Sequence, residues 1–307
     1  MKNILFIFLI LITITNSTTA QSHRFDPPWN TPPGDAVNFT VPGVDNLPDI
    51  YGDIIDPQLV IFMGGNQFMV LDDLLAAFRK KHPQYQRILV ETLPPGLLLQ
   101  QIKKGSLAVG NMRISIKPDI YTTGKNKIEE SMDMFERTEA YTATKLALMV
   151  QQGNPKKIKG LQDLANKDIR ISMPDKEIEG IGNNVEDAFI KAGGQELHNK
   201  IMMKKVKDNS TFITQIHHRQ SPMRILYNQS DVAPVWETEI FYQKSLGHKM
   251  EMISIPEKFN KLSISTAALL KDATHKEAAN HFMDFIKKDE AKAIFKKYGF
   301  KDVPANK

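Results

Sequence analysis

The chain has 307 residues and no cysteine, and its formal charge is +5, from 40 Lys and Arg against 35 Asp and Glu. The absence of cysteine excludes disulfides, thiolate metal sites, cysteine nucleophiles and a lipid-acceptor cysteine. Acidic residues are interspersed with the basic ones, so the small positive excess indicates a solvated surface and argues against nucleic-acid binding.

The N-terminus reads as a targeting segment followed by an extension. Residues 1–20, MKNILFIFLILITITNSTTA, begin with one lysine and a short apolar run and end in small residues, which predicts a signal peptide cleaved after Ala20. The apolar run is too short to cross a bilayer comfortably, so we expect a soluble periplasmic protein. Prolines and glycines in residues 21–57 predict an extension without regular helix or central strand.

From Leu59 onward, strand and helix patterns alternate. "LVIFM" predicts a short buried strand, and an apolar face with helical spacing follows Gly64-Gly65. "RILVETL" predicts the next strand. Pro94-Pro95-Gly96 then opens a predicted helix that Gly105 closes.

The same alternation returns further along the chain. "TKLALMV" and "DIRISM" predict strands with a short helix between them, and the helix after the second strand is expected to end at Gly193-Gly194. "DVAPVW", "MEMISI" and "LSISTAALL" predict three more strands, and one long amphipathic helix from Ala278 to Phe295 follows. Alternating strands and helices predict an α/β fold with mainly parallel sheets.

Four segments resemble the periplasmic solute-binding proteins of ABC importers, within the molybdate-binding-like type. They are LVIFMGGNQFMVLDDLLAAFRKKHPQ, ATKLALMVQQGNPKKIKGLQDLANKDIRISMPD, SDVAPVWETE and LLKDATHKEAANHFMDFIKKDEAKAIFKKYGF. The resemblance implies a two-lobed fold in which each lobe is a sheet flanked by helices and two interlobe crossings join the lobes. It implies lobe I at residues 58–140 and 238–307 and lobe II at residues 141–237.

The resemblance also implies a function. A monomer of this type captures a small ligand in the interlobe cleft and delivers it to an ABC permease in the inner membrane, without a cofactor and without catalysis. An anion is expected, either a molybdate-like oxyanion or a small organic anion. The alternative is a periplasmic accessory or sensory protein that keeps the fold and acts by protein contact.

Ligands of open α/β sheets bind beyond the carboxyl ends of strands, where helix N-termini offer free N–H groups. Candidate contacts in such loops are Gly65, Asn66, Gln67, Thr92, Gly96 and Ser172. The alternative for the glycines is a tight turn alone. Molybdate binders of the resembling family usually carry a serine in the first loop, and residues 64–67 contain none, which counts against molybdate itself.

The segment IHHRQSPMR, residues 216–224, is unusually polar. Arg219 offers a planar fork for an anion, and His217 and His218 add donors. Ser221 is expected to cap the following helix and is also a candidate ligand contact. A metal site, a His–Ser catalytic pair and a plain loop remain alternatives; adjacent histidines without an HExxH motif or cysteine argue against the metal.

Two further residues are candidates for ligand contact. Trp236 lies where the resembling family often places a tyrosine near the ligand, and its indole could donate a hydrogen bond or form a wall. Arg113, in GNMRISIKPDIYTTG, could be another anion donor. A core tryptophan and a surface arginine are the respective alternatives.

Overall fold

A computed structural model describes residues 50–109, 112–215 and 220–304. The strands are β1 (Ile50–Gly52), β2 (Leu59–Phe62), β3 (Ile88–Glu91), β4 (Leu107–Val109), β5 (Met112–Ile114), β6 (Ile120–Gly124), β7 (Phe135–Thr144), β8 (Leu146–Gln151), β9 (Ile171–Met173), β10 (Thr211–Ile213), β11 (Val232–Trp236), β12 (Met250–Ser254) and β13 (Ser263–Leu270). The predicted signal peptide, most of the N-terminal extension, and His217, His218 and Arg219 lie outside the described residues.

The helices alternate with these strands. They are α1 (Leu71–Lys81), α2 (Pro95–Lys104), α3 (Lys125–Glu129), α4 (Gly180–Asn199), α5 (Lys205–Lys207), α6 (Gln220–Leu226), α7 (Glu237–Ser245), α8 (Lys276–Ile286) and α9 (Asp289–Lys297). Short 3₁₀ helices span Gly65–Val70, Met132–Met134 and Leu161–Ala165, and a π-helix spans Lys200–Lys204. In the part of the chain that the structure describes, no helix combines the length and apolar character needed to cross a membrane.

The first sheet has the strand order β1-β3-β2-β6-β13-β7. β2 is parallel to β3 and β6, whereas β13 is antiparallel to β6 and β7. All four residues of β2 are buried, because the sheet packs against an aromatic layer that includes Phe78, Phe282 and Phe285 from α1 and α8. Burial of such a layer is the main stabilising contribution to this lobe.

The second sheet has the order β10-β9-β11-β8-β12. β9 is parallel to β10 and β11, and β8 is antiparallel to β11 and β12. On one face α4 contributes Phe189 to a core with Leu148 and Ile171. On the other, Ile225 of α6 and Ile240 of α7 form a smaller core.

Two crossings join the sheets. β7 ends at Thr144 and β8 begins at Leu146, so Lys145 alone separates strands of different sheets. The return crossing is residues 255–262, between β12 and β13. β12 lies in the segment expected to belong to lobe I, yet it pairs with β8, whose edge would otherwise present unpaired N–H and C=O groups.

The two sheets flanked by helices confirm the predicted two-lobed α/β fold. Each sheet, however, mixes parallel and antiparallel pairs. The antiparallel pairs all involve β1 or the strands next to the crossings. Among the strands next to the crossings, β13 runs against β6 and β7 in the first sheet, and β8 runs against β11 and β12 in the second.

Several local predictions are confirmed, and one is wrong. Gly105 has a φ of 73° at the end of α2, and α4 is broken at Gly193 and Gly194, as the glycines predicted. The single long helix from Ala278 to Phe295 is instead the two helices α8 and α9. Lys288 between them is extended, with ψ of 157°, which stops the helix and lets Asp289 start the next.

Candidate functional site

A cleft of about 780 Å³ lies between the two sheets. The loops after β2, β3 and β6 line it from the first lobe, and residues 176–181 and Trp236 line it from the second. Since β2, β3 and β6 are parallel to one another, and β9 is parallel to β11, the cleft faces the carboxyl ends of parallel strands in both sheets. This is the location expected for a ligand.

Buried hydrogen bonds fix the loop after β2. The N–H of Gly64 donates to Oγ1 of Thr122 at 3.1 Å, and the Tyr141 hydroxyl donates to Oε1 of Gln67 at 2.5 Å. Burial raises the pKa of Tyr141, so its hydroxyl stays protonated and remains a donor. Because Oε1 of Gln67 already accepts, the group that Gln67 can offer to a ligand is its amide nitrogen.

The start of α2 contacts the second lobe directly. The Tyr121 hydroxyl donates to the carbonyl of Pro95 at 2.8 Å, and the N–H of Gly96 donates to the carbonyl of Ile178 at 3.0 Å. A Cβ at position 96 would lie 2.7 Å from that carbonyl oxygen, so only glycine permits this approach. The two lobes are therefore in contact at one rim of the cleft.

The lip on the second lobe is residues 175–182. The N–H of Glu179 donates to the carbonyl of Asp175 at 2.9 Å, and a Cβ at Gly182 would lie 2.6 Å from Cα of Lys176. Nζ of Lys176 donates to Glu186 at 3.1 Å, and this hydrogen bond raises the pKa of Lys176. The lip is a compact turn held by its own backbone.

The charges that line the cleft are nearly balanced. In the described ranges they are Lys103, Lys125, Lys127, Lys176 and Lys261 with Glu130, Glu177, Glu179 and Asp187. Most of these lysines form ion pairs, such as Lys127 with Glu130 at 2.9 Å and Lys261 with Asp187 at 3.4 Å. Among the described residues, no cluster of three or more His, Asp and Glu side chains has a metal-binding arrangement.

Five of the sequence-predicted residues line the cleft, namely Gly65, Asn66, Gln67, Gly96 and Trp236. Trp236 ends β11 and is 7% exposed, so it forms part of a wall. Asn66 is half-buried and Gln67 is buried. Their role as ligand contacts stays a prediction, but their location suits it.

Other predicted residues lie away from the cleft lining. Thr92 is buried beneath it, and Arg113 is exposed on the separate two-stranded ribbon of β4 and β5. The hydroxyls of Ser172 and Ser221 are buried 2.9 Å from each other, joining β9 to α6. α6 begins one residue before Ser221, at Gln220, whose Oε1 accepts from the N–H of Gln215 at 2.8 Å.

The sequence reasoning missed a set of cleft hydroxyls on strands. Thr123 is the next-to-last residue of β6, Thr144 ends β7, and Ser263 and Ser265 lie at the start of β13. Thr123 could have been found, since Thr-Thr-Gly ends a buried strand directly before a helix, close to where the other ligand loops lie. Ser263 and Ser265 alternate with Ile264, and in a strand this pattern predicts that both serines point to the same, polar face.

The sequence matches the family of bacterial extracellular solute-binding proteins over residues 59–301. The chain belongs to this family. The predicted resemblance is thereby confirmed, and the protein is a solute-binding protein. No curated protein sequence matches the chain significantly.

Solved structures of other solute-binding proteins share the fold. The Azotobacter vinelandii periplasmic molybdate-binding protein is 17% identical, with a TM-score of 0.65 over 80% of this chain and 100% of that one. The sulfate-binding protein SubI from Mycobacterium tuberculosis is 15% identical, with a TM-score of 0.64 over 80% and 86% of the two chains. Peb3 from Campylobacter jejuni is 21% identical, with a TM-score of 0.56 over 80% and 100%.

Proposed function

We propose that this protein captures a small anionic ligand between its lobes and delivers it to an ABC permease of the inner membrane. The observation that carries the proposal is the cleft itself, which faces the carboxyl ends of parallel strands from both lobes. The proposed protein is a monomer in the periplasm, released there by cleavage after Ala20. It needs no cofactor, binds no nucleic acid and catalyses no reaction.

The proposed mechanism is hinge closure. Ligand that contacts both lobes binds the closed form better than the open one and so shifts the population toward closure. Bending at two crossings, one of them the single residue Lys145, would carry the motion. The Gly96–Ile178 hydrogen bond joins the two lobes, so the proposed opening would break it.

Two observations favour an anionic ligand. Amides, hydroxyls and lysines of the lining supply donors, and the resembling molybdate- and sulfate-binding proteins are named for oxyanions. We propose that Arg219, with His217 and His218, adds a clamp from the second lobe. Their place directly before α6 motivates this assignment.

The test is a thermal-shift and calorimetric scan of residues 21–307 against oxyanions, carboxylates and phosphorylated organic acids. A ligand at a hundredfold excess over its dissociation constant stabilises the protein by about 2.7 kcal/mol, which the melting temperature registers. Arg219→Ala should weaken the binding. The matched control is Arg113→Ala, an exposed arginine away from the cleft.

A flat response to every compound, together with no co-purifying small molecule, would contradict the proposal. It would favour the accessory or sensory protein instead. Turnover of a generic ester or phosphate that His217→Ala or His218→Ala abolishes would indicate a hydrolase.

A further inference from the structure

Three cleft hydroxyls form one patch on the strands that lead into and out of the first lobe. Thr144 of β7 lies directly opposite Ser263 of β13, and Ser265 is two residues further along the same strand. Residues opposite each other in an antiparallel pair point to the same face, as do residues two apart. The three side chains therefore share one face of the sheet, and all three line the cleft.

We call Thr144, Ser263 and Ser265 the hinge hydroxyl patch. Within it, the hydroxyl of Thr144 lacks a hydrogen-bond partner among the residues that the structure describes. The Thr144 side chain is 2% exposed. A buried hydroxyl without a partner is unfavourable, and native proteins keep few of them. A ligand in the cleft would supply the acceptor or donor that this hydroxyl lacks.

The size of the cleft indicates what kind of ligand that is. A bare tetrahedral oxyanion occupies on the order of 100 Å³, a few times the volume of a water molecule. The cleft measures about 780 Å³, although the lobes already touch through Gly96 and Ile178. That volume is in the range of pockets for small organic molecules.

The lining has the chemistry of an organic ligand as well. Asn66 offers an amide that can both donate and accept, Gln67 offers its amide nitrogen as a donor, and Trp236 offers an apolar wall. The near balance of lysines and acids leaves little excess positive charge for a compact dianion. A ligand with one oxyanion group on a polar carbon skeleton satisfies these groups.

We infer that Thr144, Ser263 and Ser265 bind the oxyanion group of a small organic anion whose skeleton lies against Trp236 and the amides of Asn66 and Gln67. The inference rests on the proposed function and names its ligand class. The hydroxyl donors come from the hinge strands, in place of the loop serines that residues 64–67 lack. A ligand bound there contacts the last residue before the first crossing, Thr144, and the first residue after the return crossing, Ser263.

The experiment measures dissociation constants of residues 21–307 for L-malate, phosphoenolpyruvate, sulfate and molybdate. We expect a carboxylate or phosphorylated acid to bind more tightly than either inorganic anion. Thr144→Val and Ser265→Ala should each weaken that binding about tenfold or more, since a hydrogen bond to a charged group is lost. Comparing malate with phosphoenolpyruvate distinguishes a carboxylate ligand from a phosphorylated one.

Thr266→Val is the matched control. Thr266 is buried on β13 and its Oγ1 also lacks a partner among the described residues, but it does not line the cleft. Its replacement should leave the dissociation constant unchanged, and all three variants should keep the wild-type circular dichroism spectrum.

Each alternative outcome is decisive. Organic-anion binding that Thr144→Val and Ser265→Ala leave unchanged would overturn the hydroxyl patch while the proposed function stands. Binding of molybdate or sulfate alone would overturn the ligand class. A wild-type protein that binds none of the four compounds would overturn this inference, whereas the proposed function fails only if the wider scan is also flat and no small molecule co-purifies.

Discussion

Asn260 pairs with Leu146 through both ends of its side-chain amide. The N–H of Leu146 donates to Oδ1 at 3.1 Å, and Nδ2 donates to the carbonyl of Leu146 at 2.8 Å. Leu146 begins β8 and Asn260 lies in the return crossing, so one side chain ties the two crossings together. Lys145 and Glu257, 2.6 Å apart, join the same two segments at the surface.

Removing this tie should destabilise the protein. Asn260 is 7% exposed, and Asn260→Ala leaves the N–H and carbonyl of Leu146 without partners, which should cost about 2–4 kcal/mol of unfolding free energy. Urea denaturation measures the loss. Asn199→Ala, at an exposed site, should change stability by less than about 0.5 kcal/mol. Equal effects of the two variants would refute the role of Asn260.

Gly96→Ala should separate the lobes at the rim. The new Cβ would lie 2.7 Å from the carbonyl oxygen of Ile178, a backbone atom that cannot rotate away. Hydrogen exchange of the residue 96 amide should then become faster, because its bond to Ile178 is lost. Gly180→Ala is the control on the opposite side, since nothing lies within 4 Å of its Cβ. Unchanged protection in Gly96→Ala would contradict the interlobe contact.

Tyr141→Phe should loosen the loop after β2. The variant leaves Oε1 of Gln67 buried without its donor, and the expected loss of unfolding free energy is about 1–3 kcal/mol. Ligand affinity should fall too, because Gln67 loses its fixed orientation. Tyr227→Phe, at a tyrosine that is 56% exposed, serves as the control in urea denaturation and calorimetry. A fully stable Tyr141→Phe variant would show that the hydrogen bond contributes nothing.

The His82–His281 stack should make stability depend on pH. The rings are 4.9 Å apart, and desolvation, then His281 and Lys81, lower the pKa of His82. A lowered histidine pKa means that the unfolded chain binds protons first, so stability should fall as pH drops below the unfolded value near 6.5. Urea denaturation from pH 5 to 8 should show this slope.

His82→Gln should flatten the slope between pH 5 and 7. His198 lies beside the carboxylate of Glu186 and not beside a second histidine. The variant His198→Gln should therefore keep the part of the pH slope that is due to His82. A slope that survives the loss of His82 would assign it to other groups.

The sequence predicted best the elements whose signals are local. The buried run of β2, the glycines after it and the apolar face of α1 all agree, and the structure has that strand, loop and helix in order. β7 was missed, because Glu136, Arg137 and Glu139 conceal its alternation. Arg137 pairs with Glu139 of the same strand, and tertiary partners such as Asp284 of α8, 2.7 Å from Arg137, complete the pairing.

The site residues also divide into those with a local sequence signal and those that depend on tertiary contacts. Gly96 and Trp236 were found because a strand end or a family resemblance points to them. Thr144 and Ser263 were not, since their proximity depends on the pairing of β7 with β13, which are far apart in the chain. Strand register is set by packing across the whole sheet, so local sequence does not reveal it.

The second lobe is an insertion between β7 and β13, and β13 lies between β6 and β7 in the first sheet. A chain that emerges N-terminus first therefore has every strand of the second sheet before the strand that joins β6 to β7 exists. Until β13 is synthesised, the first sheet lacks the strand that pairs with both β6 and β7. Because β13 also carries Ser263 and Ser265, the cleft is completed last, and a chain cut short before β13 has no finished cleft in which to hold a ligand.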